Sequence, residues 1–112
     1  QNTQRQIESK EVHDEIEKIK NPTGGFVYFI KELLLLSEPI KIGRTDLDIQ
    51  IRLSQLQVGN PNELYVYDYF KCDSRKVEQD IHNELSDYNI RGEWFKIPHA
   101  VLTNIIKKYK PK

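Results

Sequence analysis

The chain has no methionine and only one cysteine, Cys72, in 112 residues. A lone thiol cannot close an intrachain disulfide, which excludes a small secreted scaffold held by cross-links and favours a reducing compartment. Zinc-site spacing is missing too, because a single cysteine and the scattered His13 and His99 make no ligand set. The longest apolar run, Leu33 to Leu36, is far too short to span a bilayer, and the charged N-terminus has no signal-peptide core. An intracellular protein is expected, cytoplasmic or, in a eukaryotic host, nuclear. Net charge is also lacking: 17 Lys and Arg balance 17 Asp and Glu, so no overall basic field announces a polyanionic partner. A chain that opens on Gln1 and has no methionine is expected to be a piece of something longer.

What is there is unevenly distributed. Lys96, Lys107, Lys108, Lys110 and Lys112 fall in a C-terminal stretch without any acid, a tail that can steer DNA or simply coat a solvated helix. The length allows one domain with a modest core. Residues 1 to 24 read as an N-terminal helix and linker, in which Val12, Ile16 and Ile19 form a narrow apolar stripe before the breaker cluster from Asn21 to Gly25. That stripe must dock on something, either a second copy in a homodimer or the rest of a larger parent protein.

Residues 25 to 112 read as the main domain. Phe26 to Lys31 and Pro39 to Gly43 are rich in β-branched and aromatic residues and predict an antiparallel pair, with Phe26, Tyr28 and Ile30 on one face and Val27 and Phe29 on the other. Thr45 to Asp48 has capping-box spacing, so a helix is expected to about Gln57, with Ile49, Leu53 and Leu56 inward and Arg52 beside them. Leu64 to Phe70 predicts a third strand. Asp73 or Ser74 can cap a helix that turns Val77, Ile81 and Leu85 to the core and places Glu78 and His82 on one face. Arg91-Gly92 interrupts the pattern, and Pro98 suits the first turn of a last helix through Lys108.

One ordered set of side chains points at chemistry. Hydrolysis of a phosphodiester needs an activated water, neutralisation of the phosphoryl oxygens and stabilisation of the leaving oxygen. Arg52 offers a planar fork for phosphate, and Glu78 can hold a hard cation such as Mg²⁺ or Mn²⁺. Tyr28 and Lys41 ionise at about pH 10 in the free state, so either can act as a base only if its pKa is lowered. His82, four residues from Glu78, can orient a ligand or shuttle a proton. Each has a plainer alternative: Tyr28 as core, Lys41, Arg52 and Glu78 as surface charge, Trp94 as a core plug rather than a base-stacking platform.

Taken in order, Phe26-Val27-Tyr28, Lys41-Ile42-Gly43, Arg52 and Glu78 resemble the motifs of the GIY-YIG nuclease superfamily. Arg52-Leu53-Ser54-Gln55-Leu56-Gln57, Glu78 to His82 and Glu93-Trp94-Phe95 look closer still to a phage and large-virus branch. The resemblance implies a small α+β domain with a three-stranded antiparallel sheet flanked by helices, cutting DNA with one divalent metal. It implies Tyr28 and Lys41 near the attacking water, Arg52 on the scissile phosphate, Glu78 on the metal and Arg44 in a basic position toward DNA. The chain departs from the motif at Phe26, Lys41 and Leu56. Two further classes compete: a non-cleaving nucleic-acid-binding or regulatory module, and an interaction module acting through the N-terminal stripe.

Overall fold

The computed structural model describes residues 24–33 and 39–112, so the expected N-terminal helix and its stripe lie outside the described residues. Strand β1 (Phe26–Glu32) pairs antiparallel with β2 (Ile40–Thr45) on one side and with β3 (Leu64–Lys71) on the other. Between β2 and β3 runs helix α1 (Ile49–Gln57); after β3 come α2 (Ser74–Glu84) and a 3₁₀ turn (Ser86–Tyr88). The chain then forms β4 (Asn89–Arg91) and β5 (Trp94–Phe95) and closes on α3 (His99–Tyr109).

The sheet has five strands in the order β3-β1-β2-β5-β4, all antiparallel, which corrects the three-stranded expectation. The two extra strands escaped notice because they are three and two residues long, too short to display a period of two. Arg91-Gly92 interrupts a helix pattern, as expected, but does so as a hairpin: Gly92 takes φ 56°, a left-handed conformation that glycine adopts without steric cost.

The faces of β1 are divided as its alternation requires. Val27 and Phe29 join Ile40, Ile42, Phe70, Phe95 and the inward residues of α2 and α3 in the larger core. Tyr28 and Ile30 join Ile49 and Leu64 in a smaller one, under α1. On β3 a plain alternation would put Leu64, Val66 and Phe70 on one face, yet Phe70 lies in the other core. A β-bulge opposite Phe29 and Ile30 inserts one residue and reverses the phase, letting each apolar side chain of β3 find a dry surface.

Local capping differs in detail from the expected box. Asp48, not Thr45, is the N-cap of α1, accepting from the Gln50 N–H at 2.8 Å, while the Thr45 hydroxyl accepts from Leu47 N–H in a tighter turn. The other end of α1 is tied down by Gln57, whose amide donates to the carbonyls of Asn60 and Asn62 and accepts from Leu64 N–H. Both ends of the helix bearing Arg52 are therefore anchored.

Candidate active site

The site is built around a missing side chain. Tyr28 and Gly43 are cross-strand partners, and a Cβ placed on Gly43 would lie 2.5 Å from the Tyr28 Oη and 2.7 Å from the Glu93 Oε1. No L-residue with a Cβ fits there without moving one of them. Because φ at Gly43 is not positive, its glycine answers to space rather than to backbone strain. The gap is occupied from two directions: β1 sends the phenol across from a fully buried position, and the β4–β5 turn sends the carboxylate.

Charges gather about this gap. The Arg52 Nε donates to the Tyr28 Oη at 3.4 Å, and its Nη1 is steadied by Gln55 at 3.1 Å. Lys41 reaches the same Glu93 oxygen at 3.4 Å, with its ammonium 5.5 Å from the centre of the Trp94 ring. Glu78 arrives from α2. Strand β5 pairs with β2 at Ile40 and Lys41, and at Ile42 the N–H still goes to the Glu93 carbonyl while the carbonyl is met by an α2 side chain. That side chain is His82, its Nε2 lying 2.8 Å from the Ile42 carbonyl, and Glu78 lies one turn earlier, 3.8 Å from the same nitrogen.

A carbonyl only accepts, so Nε2 of His82 carries the proton and spends it on the backbone of β2. The ring packs edge-on against Phe95 at 4.9 Å between centroids. This histidine fastens α2 to the sheet and orients Glu78 beside the gap.

Electrostatics define what the groups can do. Burial pushes the Glu78 carboxyl above the usual carboxylate range, and the Glu93 charge and hydrogen bond push it further, against the opposing pull of His82 and Arg44. Two carboxyls this close favour sharing a proton or a cation. Burial likewise raises the Tyr28 phenol, despite the hydrogen bond and charge of Arg52. The condition for Tyr28 to act as a base, a lowered pKa, is thus not met; it is a neutral phenol that donates or accepts a hydrogen bond.

Glu78 and Glu93 are the carboxylates that can serve a cation here. Among the described residues no group of three or more His, Cys, Asp and Glu side chains converges. A carboxylate pair fits Mg²⁺ or Mn²⁺, which accept one or two carboxylates and retain waters, better than zinc, which takes three or four protein ligands, mostly His and Cys.

Of the nine residues singled out from sequence, Tyr28, Lys41, Arg52, Glu78 and His82 come together in this network. The four basic residues expected toward DNA do not. Arg44 is an internal brace, donating from Nε to Ser74 Oγ at 2.9 Å and pairing with Asp46 at 2.6 Å. Ser74 in turn donates to the Gly24 carbonyl, which ties the start of α2 to the entry of β1. Lys108 pairs with Glu84 at 2.9 Å, and Lys107 lines a shallow groove with Tyr67, Asp68 and Lys110. Lys96 is exposed beside the 3₁₀ turn, its backbone N–H donating to Tyr88. Leu56 packs on the smaller core, not into the gap. Glu93 is the member that motif reading quoted without a role; its one sequence signal was its place between Gly92 and the aromatic pair Trp94-Phe95.

No curated protein and no solved structure significantly matches the chain. The family model that does match, over residues 25–110, is the T5orf172 domain, a different family from the GIY-YIG one, and this overturns the resemblance drawn from the motifs. Five short motifs sample a few side chains, whereas this match takes in almost the whole of the main domain, including β4, β5 and α3. The T5orf172 domain is associated with nuclease and DNA-binding activity, consistent with a nucleic-acid-related domain. Among the described residues no helix is long and apolar enough to cross a membrane. With 25–110 matched in a chain of 112, the protein belongs to the T5orf172 domain family.

Proposed function

We propose that this domain is a metal-dependent nuclease that hydrolyses a phosphodiester of DNA. The observation that carries the reading is the convergence of a phenol, an ammonium, a guanidinium and two carboxylates around the Gly43 gap. Arg52 supplies the fork for the non-bridging oxygens of the scissile phosphate. Lys41 offsets the charge that grows on the departing oxygen. Tyr28, as a neutral phenol, orients the attacking water by a hydrogen bond. Glu78 would hold Mg²⁺ or Mn²⁺, and the bound ion would lower the pKa of water and screen phosphate charge. The water oxygen bonds to phosphorus, the ester P–O bond breaks, the leaving oxygen gains a proton and the water loses one.

The test is supercoiled plasmid incubated with the purified chain and either metal. Nicked or linear product is expected, falling about 10²–10³-fold with Arg52→Ala, the size of effect seen when one transition-state donor is removed, and comparably with Glu78→Ala. Cleavage indifferent to both substitutions sinks the proposal.

A non-cleaving DNA-binding module is the second reading. It is favoured by the raised pKa of Tyr28, which leaves the phenol neutral and the attacking water without that base. Salt-dependent retention on DNA by a wild-type chain that cuts with neither metal would decide for it.

A further inference from the structure

Glu93 stands at the centre of the network without a role in the scheme above beyond its nearness to Glu78. Its position is prescribed twice. Its carbonyl accepts from the Ile42 N–H at 2.9 Å, which fixes its backbone to the residue after Lys41, and the Gly92 turn swings its side chain back over Gly43. The oxygen that faces the gap, Oε1, is also the one that takes the Lys41 ammonium at 3.4 Å.

Lys41 needs such a partner. A lysine side chain is a flexible stem that loses much rotamer entropy when fixed, with no fork geometry to pre-align its charge. Most surface ion pairs do not offset that entropy. Here the lysine side chain is only 16% exposed, and it is confined from a second direction by the Trp94 ring. Two consecutive residues at the end of one turn therefore converge on one amine: a carboxylate to fix its head and an indole to limit its swing.

We propose that Glu93 is a positioning residue for Lys41, holding its ammonium against the carboxylate that faces the Gly43 gap so that it meets the substrate phosphate already aligned. The inference rests on the nuclease reading and deepens it. Trp94 is the accessory wall of the same clamp.

A double-mutant cycle on plasmid cleavage tests it. Glu93→Gln keeps the shape and removes the charge; kcat is expected to fall about 10–100-fold, as for groups that orient a reactive side chain, with KM changed less than about threefold and Glu93→Asp recovering part of the loss. In a Lys41→Met background, Glu93→Gln is expected to cost nothing further. A loss of the same size whether or not Lys41 is present overturns the proposal, because Glu93 then acts on its own.

A second readout does not need activity. The ε-methylene protons of Lys41, which lie near the only tryptophan, should show ring-current shifts in NMR spectra. Those shifts are expected to relax toward free-lysine values in Glu93→Gln and to persist in Glu93→Asp. If they are unchanged in Glu93→Gln, Glu93 does not hold Lys41, even should the wild-type chain prove to be a binding module.

Discussion

The two faces of β1 do different things with neighbouring residues. Phe29 points into the broad core under α2 and α3, where its ring meets Phe70 at 6.0 Å within a cluster of buried apolar side chains. Tyr28, one residue earlier, is equally inaccessible, but it ends in a hydroxyl beside Arg52 and the Gly43 gap. The first face is closed and serves stability. The second is small, buries a polar atom and places charges around it, as a binding site requires and a stabilising core does not. Burial alone does not tell a core residue from a site residue; the chemistry of what surrounds the buried atom does.

Adjacent substitutions should break this pairing most visibly. Phe29→Ala is expected to cost about 3–5 kcal/mol, a large part of the ~5–15 kcal/mol that holds a domain of this kind together, and a urea melt reads it as a drop in midpoint. Tyr28→Phe removes a single long hydrogen bond, so its melt should lie close to wild type while plasmid cleavage falls sharply. Equal destabilisation by the two would erase the distinction between the faces.

Gly43→Ala probes the gap itself at an intermediate cost. The added methyl must displace the Tyr28 ring end or the Glu93 carboxylate, at about 1–3 kcal/mol for overpacking. Cleavage should fall further than stability accounts for, measured as the rate at a temperature where both chains are folded. A rate equal to wild type means that the gap is a packing detail.

The smallest expected effect concerns pH. A carboxyl whose folded pKa is raised binds more protons in the native chain than in the unfolded one, so its contribution to stability is lost as pH rises from the ordinary carboxylate range through the raised value. Glu78→Gln deletes that titration. Its melting temperature should match or slightly exceed wild type at neutral pH, with the advantage shrinking in acid, while cleavage is lost. A variant less stable than wild type at neutral pH contradicts the burial of a strained charge.

Much of the frame was legible in the chain. The alternation of Phe26 to Ile30 assigned the faces of β1, and the spacing of Ile81 and Leu85, like that of Leu102 and Ile105, picked out the buried sides of α2 and α3. Those readings hold because periodicity is local, and burial follows it wherever an element is long enough to repeat. The two shortest strands and the bulge in β3 were not legible, since a two-residue strand has no period and a bulge is set by what lies opposite. The motif order of Tyr28, Lys41, Arg52 and Glu78 singled out the side chains that meet, yet led to the wrong family.

By itself, then, the sequence determined which residues alternate, which helices have a dry side and which few side chains have the chemistry for a phosphate. Tertiary structure alone decided that Glu93 joins them, that His82 gives its proton to the sheet, and that Arg44 and Lys108 spend their charge within the protein. The reason is range: patterning is written over a few neighbouring residues, while a site depends on directions and distances between elements that only the packed sheet brings within reach of one another.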